Sequence, residues 1–142
     1  MKLELGHLQG ISSMSVKSQP VVIDPDPLAP YAICPGHKVG DLIFLSGQAA
    51  ISEAGVVVGS GDFQIQLEQT FKNIQTVLAA AGSELSKIVK VTIYLTDMAH
   101  FPEIVAARRK YFSEPYPADT IVEVSSLALE ELMVEIDVIA TA

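Results

Sequence analysis

Leu67, Phe71, Ile74, Leu78 and Ala81 recur at three- and four-residue steps, and after Gly82 the apolar period drops to two through Val89, Val91, Ile93 and Leu95. The first spacing is that of a helix with one apolar stripe, and the second that of a strand with one buried face. A helix and a strand so close together hide both surfaces only when the helix lies on the sheet that the strand enters. Asp62 is placed to cap this helix and Gly82 to stop it.

The remaining segments complete a single sheet. A second helix is expected from about His100 to Phe112, with Pro102 in its first turn. Its stripe of Phe101, Ile104, Val105, Arg108, Tyr111 and Phe112 is apolar except for one cation. Two strands close the chain, near Asp119 to Ser125 and Leu132 to Ala140, joined by a turn around Ala128 to Glu131. Upstream, Pro20, Pro25, Pro27 and Pro30 exclude helix and leave a short edge strand at Val21 to Ile23. Leu42 to Ala50 and Val56 to Val58 flank a Glu53-Ala54-Gly55 turn signal as a hairpin. The order predicts an α+β fold, a two-layer sandwich with a mixed six-stranded sheet and both helices on one face. In the last strand Met133, Glu135, Asp137 and Ile139 share the face away from the helices, so that face is expected to meet another subunit. Residues 1–18 show no sustained period and are expected to form a flexible extension to a single domain spanning 19–142.

Composition narrows the function classes. Hydrophobic content of 49% with 18% charged residues suits a packed soluble chain, and no apolar run approaches the roughly 20 residues that span a bilayer. No secretory leader is evident, and the single cysteine, Cys34, agrees with a reducing compartment, so a cytoplasmic location is expected and a membrane partner is not. The net charge of −8 repels a phosphate backbone and argues against nucleic acid. His7, His37 and His100 lack metal-ligand spacing, so no metal site is expected. Ser46 lacks the Gly-x-Ser-x-Gly context of a nucleophile elbow, and Gly55, Gly59 and Gly61 lack the strand-loop-helix context of a phosphate loop.

A series of short motifs carries a family resemblance from about Gln19 onward: Pro30-Tyr31, Phe44-Leu45-Ser46-Gly47-Gln48, Asn73-Ile74, Ala80-Ala81-Gly82, Val89 to Met98, Tyr111-Phe112, Pro117-Ala118, Val122-Glu123-Val124 and Val134 to Ala140. In order and spacing the chain resembles the RidA/YjgF family. The resemblance implies a chorismate-mutase-like fold, a homotrimer with small-molecule clefts at the subunit boundaries, and hydrolysis of reactive enamines and imines such as 2-aminoacrylate without metal or organic cofactor. It also implies an arginine that clamps the substrate carboxylate, a glutamate in the last strand that holds water, and a cleft shaped by a tyrosine and the Ser-Gly-Gln backbone.

On this chain the resemblance assigns the catalytic glutamate to Glu135 and the substrate-binding groups to Tyr31, Ser46 and Gly47. The clamp position, however, reads Pro117-Ala118-Asp119, and the asparagine common on the second helix is Val105. An anion about 4.5 Å from a substrate carboxylate, at an effective dielectric of about 20, replaces some 3–4 kcal/mol of attraction with a similar repulsion, a swing of about 7 kcal/mol. Imine deaminase activity of altered substrate preference is therefore expected, with a non-catalytic small-molecule-binding or interaction module as the alternative. Arg108 or Arg109 reaches the cleft, where it neutralises Asp119 or replaces the lost cation; otherwise Arg108 snorkels at the edge of its stripe and Arg109 lies on the solvated helix surface. Failing that, Asp119 and Glu135 would recognise a cationic or neutral ligand.

Overall fold

The computed structural model describes residues 17–142. The expected extension lies outside the described residues except for Lys17 and Ser18, and Ser18 already belongs to a strand. The strands are β1 (Ser18–Pro20), β2 (Gly36–Val39), β3 (Leu42–Leu45), β4 (Gln48–Ala49), β5 (Ile88–Leu95), β6 (Ala118–Glu123) and β7 (Val134–Thr141). The helices are α1 (Phe63–Ala80) and α2 (Phe101–Tyr111). Six strands follow the order β1-β2-β3-β7-β5-β6, and the two-residue β4 also pairs with β7. Among the described residues only β5 and β6 run parallel, and α2 supplies the crossover that such a pair requires. The result is the expected mixed sheet, two-layer and α+β, with seven strands where six were expected, because the Leu42 to Ala50 segment divides into β3 and β4.

The caps of α1 are those its sequence prescribes. Asp62 accepts from the Ile65 N–H at 3.1 Å. At the other end Gly82, at φ 79°, donates to Ala79 O while Ser83 N–H reaches Leu78 O, the paired bonds of a Schellman stop. The helix packs Leu67, Phe71, Ile74 and Leu78 into a core with Val91, Ile93 and Leu95 of β5 and Val134, Ile136 and Val138 of β7.

Three local readings are corrected. The first strand is Ser18–Pro20 and not Val21 to Ile23; Val21 instead turns inward, and its N–H bonds to Gly36 O at 2.8 Å. The partner β2 has no periodic apolar signal in Gly36-His37-Lys38-Val39, and Val56 to Val58 makes only a bridge, Val57 to Ile51. In β5 an extra residue between Ile88 and Lys90 bulges the strand, so Ile88 is buried and Val89 is exposed.

Candidate functional site

A second bulge builds the cleft around Glu135. Between the pairs Phe44–Ile139 and Gln48–Ile136, the residues Leu45, Ser46 and Gly47 oppose only Asp137 and Val138. The extra residue presses the chain onto Glu135: a Cβ added at Gly47 would lie 2.8 Å from Glu135 Cδ and 3.1 Å from its Oε1. Glu135 shares a cavity of about 230 Å³ with Leu28, Tyr31, Gly47, Asn73 and Leu132. Tyr31 ends a 3₁₀ turn and stands exposed, and Ser46 sits behind the wall, donating its hydroxyl to Cys34 O at 2.5 Å. Tyr31, Gly47 and Glu135 are thus brought together, whereas Ser46 does not line the cavity.

Asn73 went unassigned in the sequence beyond its motif. Its amide donates to Ala49 O and Ile51 O, both at 2.8 Å, and its oxygen accepts from Gln69 Nε2. Asparagine is a poor helix former, and its presence inside α1 was the available signal. It ties α1 to β4 beside the Glu135 cavity.

Burial first, and then the negative charge of Asp137, push the Glu135 carboxyl above its usual range. On the neighbouring strand the Tyr94 phenol is also raised, chiefly by Asp137, to which it makes a long 3.4 Å hydrogen bond. The folded chain therefore holds the Glu135 proton more tightly than the unfolded chain does. Its contribution to stability is full below the ordinary glutamate value and is lost as pH rises through the raised one. Glu135→Gln is accordingly expected to be more stable than wild type near neutral pH, with the advantage fading toward about pH 4; urea midpoints at both ends check the sign. Gly47→Ala should push the carboxylate out of the cleft and return its titration toward the ordinary range, which carboxyl NMR reads directly.

Asp119 and Arg108 form a separate centre. Arg108 Nε donates to Asp119 Oδ2 at 2.9 Å and Nη2 to Oδ1 at 2.7 Å, a bidentate fork. Both side chains are about one-fifth exposed, at 23% and 20%. The pair borders a cavity of about 450 Å³ walled by Phe101, Val105, Tyr116 and Ile121. Arg108 is thus paired with Asp119 and does not stand free at the edge of its stripe. Arg109 is exposed, also borders this cavity, and has no ion-pair partner among the described residues.

The two centres do not meet within one chain. Asp119 pairs with Val91, whose side chain is buried beneath the helices, and it reaches up to α2. Glu135 pairs with Tyr94 on the opposite face of the sheet. That outer face also presents Leu42, Phe44 and Val122, each at least 38% exposed. Among the described residues no three His, Cys, Asp or Glu side chains gather as metal ligands, and no helix is long and apolar enough to cross a membrane. His100 stacks on Phe63 at 4.0 Å and contacts Glu103, a packing role.

These features define an α+β domain with a desolvated carboxylate in a cleft on one sheet face and a neutralised ion pair under the helices. Residues 23–142 match the family described as Endoribonuclease L-PSP. The chain belongs to the RidA/YjgF family. The RutC family protein y4sK of Sinorhizobium fredii is 44% identical over 102 residues, covering 70% of this chain and 81% of its own length. Reactive Intermediate Deaminase A, chloroplastic, of Arabidopsis thaliana is 37% identical over 132 residues, covering 92% and 70% respectively. The crystal structure of RidA from the Antarctic bacterium Psychrobacter sp. PAMC 21119 superposes with a TM-score of 0.80 at 32% identity, over 87% of this chain and 99% of that one.

Proposed function

We propose that the protein is a hydrolytic deaminase of enamines and imines whose preference has moved away from 2-imino acids, acting at clefts between the subunits of a homotrimer. The observation that carries this reading is the Arg108–Asp119 fork at the position where the family resemblance places a free arginine. Because Asp119 and Glu135 lie on opposite faces of one sheet, a cleft containing both needs two copies of the chain, and the half-apolar outer face offers the contact. The name of the Arabidopsis relative supports the reaction class.

In this reading Glu135 takes a proton from water as the oxygen adds to the imine carbon, and it returns that proton to nitrogen. Glu135, again a carboxylate, then passes the hydroxyl proton of the carbinolamine to its amine, the C–N bond breaks as the carbonyl forms, and ammonia leaves. A carboxyl whose pKa is raised toward the working pH is a stronger base once ionised, so the rate should climb with pH through the Glu135 titration. The RNA cleavage in the family description is disfavoured by the net charge of −8.

Ammonia release from enzymatically generated imines, with and without carboxylates, tests the proposal. Wild type should accelerate release for at least one class, and Glu135→Gln should lose about a hundredfold or more, the scale of general-base catalysis. A tightly held metabolite that persists without turnover, alongside no acceleration of any imine, would instead make the chain a binding module.

A further inference from the structure

We infer that the group recognised at the Arg108–Asp119 fork is uncharged, so that the substrates are imines or enamines without a free carboxylate and with a bulky apolar or aromatic substituent. This rests on the deaminase reading above and deepens it. An anionic head gains from Arg108 what it loses to Asp119, since the two charges are held within 2.9 Å of each other and act as a dipole, and Arg109, the other cation bordering the cavity, stands exposed where water screens its pull. A cationic head would have to displace a guanidinium that is tethered in the same chain and already makes both bonds of its fork. A neutral polar head needs neither exchange. Arginine carries five N–H groups, of which two are used here, and each Asp119 oxygen retains a lone pair, so the fork still offers donors and acceptors side by side at no net charge.

The walls agree with this class. Phe101 is 40% exposed and Tyr116 50% exposed, and with Val105 and Ile121 they turn apolar surface into the cavity. Its volume of about 450 Å³ falls within the roughly 300–1,000 Å³ typical of small-molecule sites. The Arg108 guanidinium also lies 5.7 Å from the Phe101 ring centroid, which turns the aromatic face and the fork toward one another. Val105 contributes a methyl-bearing wall where the family resemblance expects an amide, removing a second polar contact to an acid.

A matched pair of probes tests the inference. Phenylalanine oxidised by an amino acid oxidase gives a carboxylate-bearing imine, and 2-phenylethylamine oxidised by an amine oxidase gives a neutral imine with the same ring. Hydrolysis is read as escape from a semicarbazide trap, using the intact protein. Wild type is expected to accelerate loss of the neutral imine at least about tenfold more than loss of the acid, a difference of about 1.4 kcal/mol. Asp119→Asn, which keeps the shape and frees Arg108 to meet an anion, should shift the preference toward the acid. Equal acceleration of both probes, or preference for the acid, with Glu135→Gln silencing both, overturns the neutral-substrate inference and leaves the deaminase reading standing. Acceleration of neither overturns both.

Discussion

Asp119→Arg is expected to raise kcat/KM for a 2-imino acid by at least about a hundredfold over wild type. From sequence alone the change replaces an unpaired anion with a cation, and the Coulomb swing at about 4.5 Å and an effective dielectric near 20 is about 7 kcal/mol. The fork lowers that figure. Arg108 already cancels most of the Asp119 charge, so wild type starts near neutrality and the gain is about one attractive contact, some 3–4 kcal/mol. Each 1.4 kcal/mol is a factor of ten, and solvent screening takes part of the total, so a hundredfold is the surviving magnitude. Arg108 loses its partner in this variant, and being partly exposed it can swing to water rather than remain against a second guanidinium. Steady-state ammonia release at equal protomer concentration measures the effect. No gain in a folded variant would mean that position 119 does not face the reacting carbon, and the family's clamp geometry would not transfer to this chain.

What the sequence disclosed follows from how far each signal reaches. The stripe of α1, its two caps and the alternation through Val91, Ile93 and Leu95 are local patterns, and all three appear in the structure. Strand β2 was illegible because Gly36, His37, Lys38 and Val39 owe their pairing to neighbours on both sides rather than to a period of their own. Both bulges escaped for a related reason: an extra residue in one strand is visible only against the register of its partner. Glu135, Asp119 and Arg108 were legible as residues. Their relation was not, since whether a cation at one helix edge reaches an anion on a strand is decided by helix placement, and which sheet face each occupies is decided by pairing.

Gln66→Ala is expected to remove about 3–5 kcal/mol of stability, through a residue whose polarity gives no hint of its position. Gln66 sits on the buried face of α1 and is fully inaccessible. Its Nε2 donates to Glu131 O at 2.7 Å and Gly59 O at 3.1 Å, and its Oε1 accepts from Met133 N–H at 2.8 Å. One amide therefore fastens the loop before α1 and the turn before β7, two segments with no regular pairing of their own. Truncation leaves a buried N–H and two carbonyls without this partner, each lost bond costing about 1–3 kcal/mol when water cannot replace it, and adds a void. At about 2–4 °C per kcal/mol for a chain near this size, Tm should fall by roughly 10 °C at fixed protomer concentration. Gln66→Met separates the causes, because it restores volume without the hydrogen bonds. It should keep most of the loss, and wild-type stability in that variant would show that filling the space is sufficient. Met133 lies two residues before Glu135, so a loosened Met133 N–H also frees the start of β7 that aims the carboxylate at the Gly47 wall. A folded Gln66→Met protein is therefore expected to show a Glu135 titration nearer the ordinary glutamate range, tying the stability of this buried amide to the electrostatics of the cleft.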